Sequence, residues 1–229
     1  MNPELREILE QELGTKVRRA KRLGGGSINE AYEVRFGDGT SLFVKTNSNA
    51  PEGMFEAEAR GLRWLEAARA IRIPKVIALS DSEPAYLALE LLTPGKRSPR
   101  FDETLGRGLA ALHSFGAPSF GLDHDNYIGR LHQSNPAAQD WASFYWASRL
   151  EPQLRLASDR GLIDDGARAS FRALEGVLME RVGAHEPPSR LHGDLWGGNL
   201  HADEGGEPVL IDPAVYGGHR EIDLAMMRL

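Results

Sequence analysis

Residues 191–200, LHGDLWGGNL, place an aspartate and an asparagine in a glycine-rich loop between leucines. Asp194 and Asn199 are five positions apart, with glycines at 193, 197 and 198 that let the backbone bend back. Asp212 follows the apolar run PVLI, thirteen positions after Asn199. These side chains carry hard oxygen donors suited to Mg²⁺ and to a hydroxyl nucleophile. For HGD alone, a glycine-rich turn with local turn-forming residues is the favoured interpretation, but Asp194, Asn199 and Asp212 together favour chemistry.

A phosphoryl-transfer site also needs a phosphate cradle upstream. The segment LGGGSINEAY supplies Gly24, Gly25 and Gly26, followed by Ser27, between two strand-like stretches. Backbone N–H groups of such a turn can approach phosphate oxygens because no Cβ blocks them. The last glycine of the usual pattern is replaced by Asn29, and a simple hairpin turn remains the alternative.

A lysine that contacts the phosphates, and a carboxylate that pairs with this lysine, are the next groups that such a site needs. Lys45 closes the apolar strand SLFVK, a position that is often only a solvated strand end. In the helix that follows, Glu58 falls at i+4 from Met54 and i−4 from Leu62, on the apolar stripe, whereas Glu56 falls on the charged face. A carboxylate on a buried stripe needs a partner. The spacing therefore predicts that Glu58 pairs with Lys45.

The pattern of elements predicts an α+β fold with two lobes. Strands dominate up to about residue 93 and helices dominate beyond it, so we expect an N-terminal lobe over 1–93, an antiparallel sheet with one key helix, and a mostly helical lobe over 94–229. The junction residues could line an adenine site, although a plain strand end is the alternative: Glu90, Leu91, Leu92 and Thr93. Predicted helices cover 3–13, 52–69, 102–115, 137–160 and 162–182, and predicted strands include 71–80, 85–92, 189–195 and 208–213.

Composition narrows the class of protein. The 229 residues contain no cysteine and carry a formal net charge of −6. Disulfides and thiolate metal sites are thus excluded, and a general nucleic-acid or anionic-membrane surface is not expected. No stretch approaches the roughly 20 apolar residues of a membrane span, and the N-terminus has no apolar signal core. We expect a cytoplasmic protein.

The ordered set of motifs resembles the protein-kinase-like phosphotransferases, with HGD and IDP in place of the protein-kinase signatures. That replacement resembles the small-molecule branch, which includes aminoglycoside and choline kinases. Within it, the closer similarity is to the fructosamine kinase family, or ketosamine-3-kinases. The similarity covers essentially the whole chain and is carried by LHGDLWGGN, IDPAVYGGHREIDLAMM, FGLDHDNYIG, DWASFYWASRLEPQLRLA and MFEAEARGL.

This resemblance implies a bilobal protein-kinase-like fold and ATP-dependent phosphorylation of the 3-hydroxyl of a ketosamine, a glycation adduct that phosphorylation makes labile. ATP and Mg²⁺ are the implied cofactors, and a small-molecule or protein-bound ketosamine is the implied partner. By the same resemblance, Asp194 accepts or orients the hydroxyl proton, Asn199 and Asp212 hold Mg²⁺, Lys45 contacts the phosphates, and Asp223 braces the catalytic loop. Leu91 to Thr93 would line the adenine site.

The sugar site is open to two interpretations. Trp196 stands beside the base and could stack on a sugar face, while His219, Arg220 and Glu221 follow the metal-binding strand and could bind hydroxyls. Each could equally be a structural side chain.

Two other functions also fit the motifs. One is another small-molecule kinase of the same fold, acting on an aminoglycoside, choline, homoserine or a sugar, and the other is an ATP-binding scaffold without turnover. Compared with the family, the helical lobe is expected to be incomplete after Leu229, with self-association as one way to cover the exposed face.

Overall fold

The N-terminal part of the chain forms a five-stranded antiparallel sheet. The computed structural model describes residues 1–24, 28–182 and 185–229. Five strands lie in the spatial order β1, β2, β3, β5, β4, with bounds Val17–Leu23 (β1), Glu30–Phe36 (β2), Ser41–Thr46 (β3), Val76–Ser80 (β4) and Tyr86–Glu90 (β5). The β2–β3 turn follows from its residues: Gly39 has φ of 94°, and the Asp38 carboxylate accepts a hydrogen bond from the Thr40 N–H.

Helix α1 (Pro3–Leu13) covers one face of this sheet. The Asn2 side chain accepts from the Glu4 N–H at its start, and Gly14 ends it with φ of 65°. Leu5 and Leu9 are fully buried in a cluster with sheet residues, as the apolar spacing of the segment predicts.

Helix α2 (Met54–Glu66) covers the other side and connects the sheet to the rest of the molecule. Its apolar stripe includes Phe55, Leu62 and Leu65, each with 1% or less of its surface exposed. The same core contains Leu195 of the glycine-rich loop and Val215, which follows Asp212 by three positions. Because one core holds α2 against both segments, the position of α2 fixes Glu58 relative to the loop.

The C-terminal part is mostly helical, with three short antiparallel strand pairs: Asn126–Ile128 with Leu131–Gln133, Ser189–Leu191 with Tyr216–Gly218, and Leu200–Ala202 with Pro208–Leu210. In chain order its elements are α3 (Phe101–Phe115), β6 (Asn126–Ile128), β7 (Leu131–Gln133), α4 (Trp141–Tyr145), a π-helical turn (Trp146–Leu150), α5 (Glu151–Asp159), α6 (Asp165–Arg181), β8 (Ser189–Leu191), a 3₁₀ turn (Gly197–Asn199), β9 (Leu200–Ala202), β10 (Pro208–Leu210), β11 (Tyr216–Gly218) and α7 (Glu221–Met226). In the described ranges, none of these helices has the length and apolar character needed to cross a bilayer.

Several predicted elements are shorter than the sequence pattern suggests. The strand predicted from residue 71 begins at Val76, after Pro74, which has no N–H to donate to a ladder. The strand predicted over 189–195 ends at Leu191 because Gly193 turns the chain with φ of 81°. The helix predicted over 137–160 is interrupted by the π-helical turn at Trp146–Leu150.

Candidate active site

A lysine flanked by two carboxylates lies at the centre of the site. Lys45 Nζ, at the end of β3, lies 2.8 Å from Glu58 Oε1 on α2 and 2.5 Å from Asp212 Oδ1. The pair with Glu58 is the one that helical spacing predicts, whereas Glu56 is exposed. The additional contact with Asp212, 167 positions away in sequence, could not be read from local patterns.

Burial and charge act against each other in this cluster. Lys45 is 6% exposed, and burial alone lowers its pKa, but the charges of Glu58 and Asp212 outweigh burial and raise the pKa above its ordinary value. Burial raises the pKa of Glu58, and the Lys45 charge opposes that shift. The lysine is therefore held as a cation, which suits a group that contacts phosphates.

The loop after β8 brings Asp194 close to Asp212. Gly193 is required at its turn, because it has a positive φ and a Cβ there would overlap the Ala214 carbonyl oxygen. Asp212 also has a left-handed backbone, with φ of 53°, which is uncommon for a residue other than glycine. The Ala214 N–H donates to the His192 carbonyl at 2.9 Å, so the two segments are held together by their backbones.

Asn199 joins the two aspartates. Its Nδ2 donates to the Asp194 carbonyl at 2.8 Å, to Asp194 Oδ2 at 3.1 Å and to the Asp212 carbonyl at 3.3 Å. Because the nitrogen faces these oxygens, Oδ1 is the atom that can face a cation. Burial raises the pKa of Asp194, partly offset by His192 and by the bond from Asn199.

The donor set fits Mg²⁺ bound together with phosphates. The Asp212 carboxylate is 45% exposed, and carboxylate and amide oxygens are the ligand types that Mg²⁺ takes in kinase sites. Within residues 1–24, 28–182 and 185–229, no group of three or more His, Cys, Asp or Glu residues could hold a metal alone. An Asn and Asp site completed by phosphate oxygens needs no such group.

A buried acid anchors the backbone of the loop that carries Asp194. Asp223 of α7 is 0% exposed, and its carboxyl oxygens accept from the backbone N–H groups of His192 and Gly193, each at 2.9 Å. His113 Nε2 of α3 lies 3.0 Å from the same carboxyl group. The bracing role implied for Asp223 is thus matched by its contacts, and His113 is a further member of this network that helical patterning placed simply in the core.

His192 has both ring nitrogens engaged. Nε2 lies 2.9 Å from the Ile211 carbonyl oxygen, and Nδ1 accepts from the Asp194 N–H at 3.3 Å. Burial lowers the pKa of His192, so the neutral ring is favoured, with its proton on Nε2. The ring connects the Asp194 loop to the strand before Asp212.

Glu90, at the junction between the sheet and the helical part, takes part in an ion-pair network. Its carboxylate lies 2.6 Å from Arg72 Nη2, and the other Arg72 nitrogen lies 2.6 Å from Asp203, in the β9–β10 turn. The carboxylate of Glu90 is therefore engaged by Arg72. Leu91 and Leu92 are half-buried, Thr93 is exposed, and all three follow the last ladder residue of β5.

The glycine turn lies largely outside the described part of the chain. Gly25, Gly26 and Ser27 fall in the gap between residues 24 and 28, while Gly24 directly follows β1 and is exposed. Their predicted contact with phosphates stays a prediction.

The four predicted substrate residues occupy two places. Trp196 is 48% exposed, and the six-membered part of its indole lies against Gly198, where a Cβ would overlap it. By contrast, β11 runs along β8 away from Asp194, since Tyr216 is opposite Leu191 and Gly218 is opposite Ser189. The segment 219–221 therefore follows at the far end of β8.

At that end, Arg220 Nε lies 2.7 Å from Glu186 and the side chain lines a cavity with His113 and Arg190. The ring of His219 lies 6.3 Å from that of Trp141, and Glu221 is exposed at the start of α7. The structure thus brings Trp196 beside Asp194 but does not place Arg220 there.

Comparison with known proteins gives the family. A sequence model of the fructosamine kinase family matches residues 1–229. The chain belongs to the fructosamine kinase family. A protein of Enterococcus faecium named as a probable ketoamine kinase is 40% identical over 207 residues, covering 90% of this chain and 73% of that protein.

Solved structures agree with this assignment. A crystal structure assigned as a fructosamine-3-kinase, from Thermobifida fusca, has a TM-score of 0.90 and 37% identity, covering 100% of this chain and 79% of that one. An aminoglycoside phosphotransferase has a TM-score of 0.68 and 17% identity, covering 96% of this chain and 74% of that one, which shows the shared fold alone. The predictions of the family, of an α+β kinase-like fold and of an ATP-dependent kinase are confirmed.

Proposed function

We propose that this kinase phosphorylates the 3-hydroxyl of a ketosamine, a fructosamine or ribulosamine adduct on a small molecule or a protein, and so promotes deglycation. The observation that carries the proposal is the meeting of Lys45, paired with Glu58, and Asp212, which is joined through Asn199 to Asp194. Membership of the fructosamine kinase family supports the choice of acceptor.

Asp194 is proposed as the group that accepts the proton of the substrate hydroxyl. Its carboxylate is half-buried and is held by Asn199, so it is oriented before a substrate arrives. Burial raises its pKa, which makes it a better proton acceptor than a solvated aspartate. The Asp223 bonds to the backbone just before it fix the direction from which it acts.

ATP and Mg²⁺ are the proposed cofactors. Asn199 and Asp212 would hold Mg²⁺, which when bound neutralises charge on the phosphates during transfer. Lys45 would hold phosphate oxygens, with Glu58 keeping its ammonium group in place. Backbone N–H groups of the turn Gly24 to Ser27 would surround the phosphates, and the junction Glu90 to Thr93 would line the adenine with backbone and aliphatic groups.

We propose that residues 1–93 and 94–229 are the two lobes, with the nucleotide between them. The β3 and α2 residues of the site come from the first part, and Asp194, Asn199 and Asp212 come from the second. The acceptor would enter beside Trp196, whose exposed ring face offers a stacking surface for a sugar. Roles for His219, Arg220 and Glu221 in holding sugar hydroxyls stay proposals, as does a cytoplasmic location.

A substrate panel tests this function. Purified protein with ATP and Mg²⁺ is offered fructosyl-lysine, ribulosyl-lysine, kanamycin and choline, with ADP formation followed by a coupled assay and products examined by ³¹P NMR. We expect turnover of at least one ketosamine, with the phosphate on its 3-oxygen, and none with the Asp194→Asn protein. Turnover of kanamycin or choline but of neither ketosamine would contradict the proposal.

A further inference from the structure

Arg149 lies on a helical turn of unusual geometry. The π-helical turn Trp146–Leu150 is closed by a bond from the Glu151 N–H to the Trp146 carbonyl, five residues back. Such turns are rare and occur often at functional sites. Since residues five apart adjoin on a π-helical turn, Arg149 lies over Phe144, with its guanidinium carbon 4.8 Å from the ring centroid. An uninterrupted α-helix would direct Arg149 elsewhere.

One side of the Arg149 guanidinium reaches the Asp194 loop through a tyrosine. Its central carbon lies 4.1 Å from the ring centroid of Tyr216, which is 2% exposed on β11. A Cβ built on Gly193 would lie 3.2 Å from Tyr216 Cε1, so the ring packs directly beneath the residue before Asp194. Movement of Tyr216 would therefore shift the catalytic loop.

The other side of Arg149 reaches the Asp212 segment through two buried amides. Arg149 Nη2 donates to Asn135 Oδ1 at 2.6 Å, and Asn135 Nδ2 donates to Asn126 Oδ1 at 3.1 Å. Asn126 Nδ2 then donates to the Val215 carbonyl at 2.7 Å, three residues after Asp212. Asn126 and Asn135 are only 3% and 1% exposed, so this path has little competition from water.

A third set of bonds fixes the guanidinium itself. Arg149 Nη1 donates to the carbonyls of Ser134 and Ser148, each at 2.9 Å. The planar fork of an arginine can satisfy these acceptors and stack on two rings at once, whereas a lysine has a single point charge. The contacts at position 149 therefore require the planar shape of a guanidinium group as well as a positive charge.

We propose that Arg149 is a positioning residue for phosphoryl transfer, which holds the Asp194 loop and the Asp212 segment in one fixed relation through Tyr216 and through Asn135–Asn126. The proposal rests on the proposed function of this site. Displacing reacting groups by about 1 Å costs on the order of 100-fold in rate, so loss of Arg149 is expected to lower kcat by about 10- to 100-fold. Substrate KM should change much less, because Arg149 acts through Tyr216 and the two asparagines.

The test compares Arg149→Met and Arg149→Lys with Arg155→Met. Arg155 is a matched control, since its side chain is 73% exposed and its ion pair, among the residues that the structure describes, is with Glu151 one helical turn away. Three quantities are measured for each variant: kcat per nucleotide-binding site with a ketosamine, the Mg²⁺ concentration that half-saturates AMP-PNP binding in calorimetry, and the thermal midpoint. Counting binding sites removes the effect of any misfolded fraction.

For Arg149→Met we expect the loss in kcat and a higher Mg²⁺ requirement for AMP-PNP binding. Arg149→Lys should recover the thermal midpoint more fully than kcat, and Arg155→Met should match the wild type. A kcat per site within about twofold of wild type in Arg149→Met, or full recovery of kcat by lysine, would overturn the proposal. If the wild type phosphorylates no ketosamine, the proposed function fails, while the Mg²⁺ requirement still tests Arg149.

Discussion

Removing the Asp223 carboxyl group is expected both to destabilise the protein and to impair the loop that carries Asp194, the proposed proton acceptor. This side chain is 0% exposed and serves three donors: the N–H groups of His192 and Gly193 and the ring of His113. The two backbone donors belong to His192 and Gly193, which immediately precede Asp194 and are themselves buried. Asp223→Ala therefore leaves buried donors without partners.

The size of the effect follows from those contacts. A buried donor left unsatisfied costs about 1–3 kcal/mol, so the two backbone N–H groups alone predict a loss of about 2–6 kcal/mol for Asp223→Ala. Asp223→Asn keeps one acceptor oxygen and replaces the other with a donor, so roughly half of this loss is expected. Domains of this kind have a total free energy of unfolding of about 5–15 kcal/mol, which makes the alanine variant marginal.

Urea unfolding measures the free energy of unfolding of each variant. AMP-PNP calorimetry measures its nucleotide affinity, and a kinase assay measures its kcat. Asp165→Asn is the matched control, because its side chain is 98% exposed, and it should change the free energy of unfolding by no more than about 0.5 kcal/mol. We expect Asp223→Asn to lose kcat out of proportion to nucleotide binding. A change in stability for Asp223→Ala as small as that of the control would refute the bracing argument.

Three further perturbations test separate parts of the account. Asp194→Asn should lower kcat by about 10²- to 10⁴-fold while AMP-PNP binding in calorimetry stays near wild type, and unaltered kcat would remove Asp194 as the proton acceptor. Glu58→Gln should lower kcat/KM for ATP in steady-state assays because Lys45, the proposed phosphate-binding lysine, loses its charged partner, whereas exposed Glu56→Gln should not; equal effects would contradict the assignment by helical spacing. Hydrogen bonds, first from Lys16, lower the pKa of Glu10 to about 2, so this residue adds stability that is complete above its unfolded pKa of about 4.3 and is lost as pH falls through about 2. Between these two pH values, the urea midpoint of Glu10→Gln should therefore depend less on pH than that of the wild type. The same dependence of the midpoint on pH in both proteins would contradict the stabilising role of Glu10.

Local patterns in the sequence are sufficient for the parts of the site that lie on one element. Glu58 is distinguished from Glu56 because a single helix repeats its faces every 3.6 residues. The turn with Asp38 and Gly39 is equally local, since its backbone geometry depends on adjacent residues. Such features need no knowledge of the remaining chain.

Contacts between distant segments explain most of what the sequence did not predict. Lys45 and Asp212 are 167 positions apart, and Asn126 and Val215 are 89 apart, so no periodicity relates them. The π-helical turn at Arg149 was likewise missed, because apolar spacing over 137–160 fits a continuous helix about as well. The three-residue strands of the second half are too short to show alternation.

The central claim is that one magnesium-bound nucleotide lies among Asp194, Asn199 and Asp212, facing Lys45. A crystal structure of the protein with AMP-PNP and Mg²⁺ tests it most directly. The account predicts a metal ion contacting Asn199 Oδ1 and the Asp212 carboxylate, with the terminal phosphate between Lys45 and Asp194. A nucleotide bound elsewhere, or a metal held by other side chains, would contradict it.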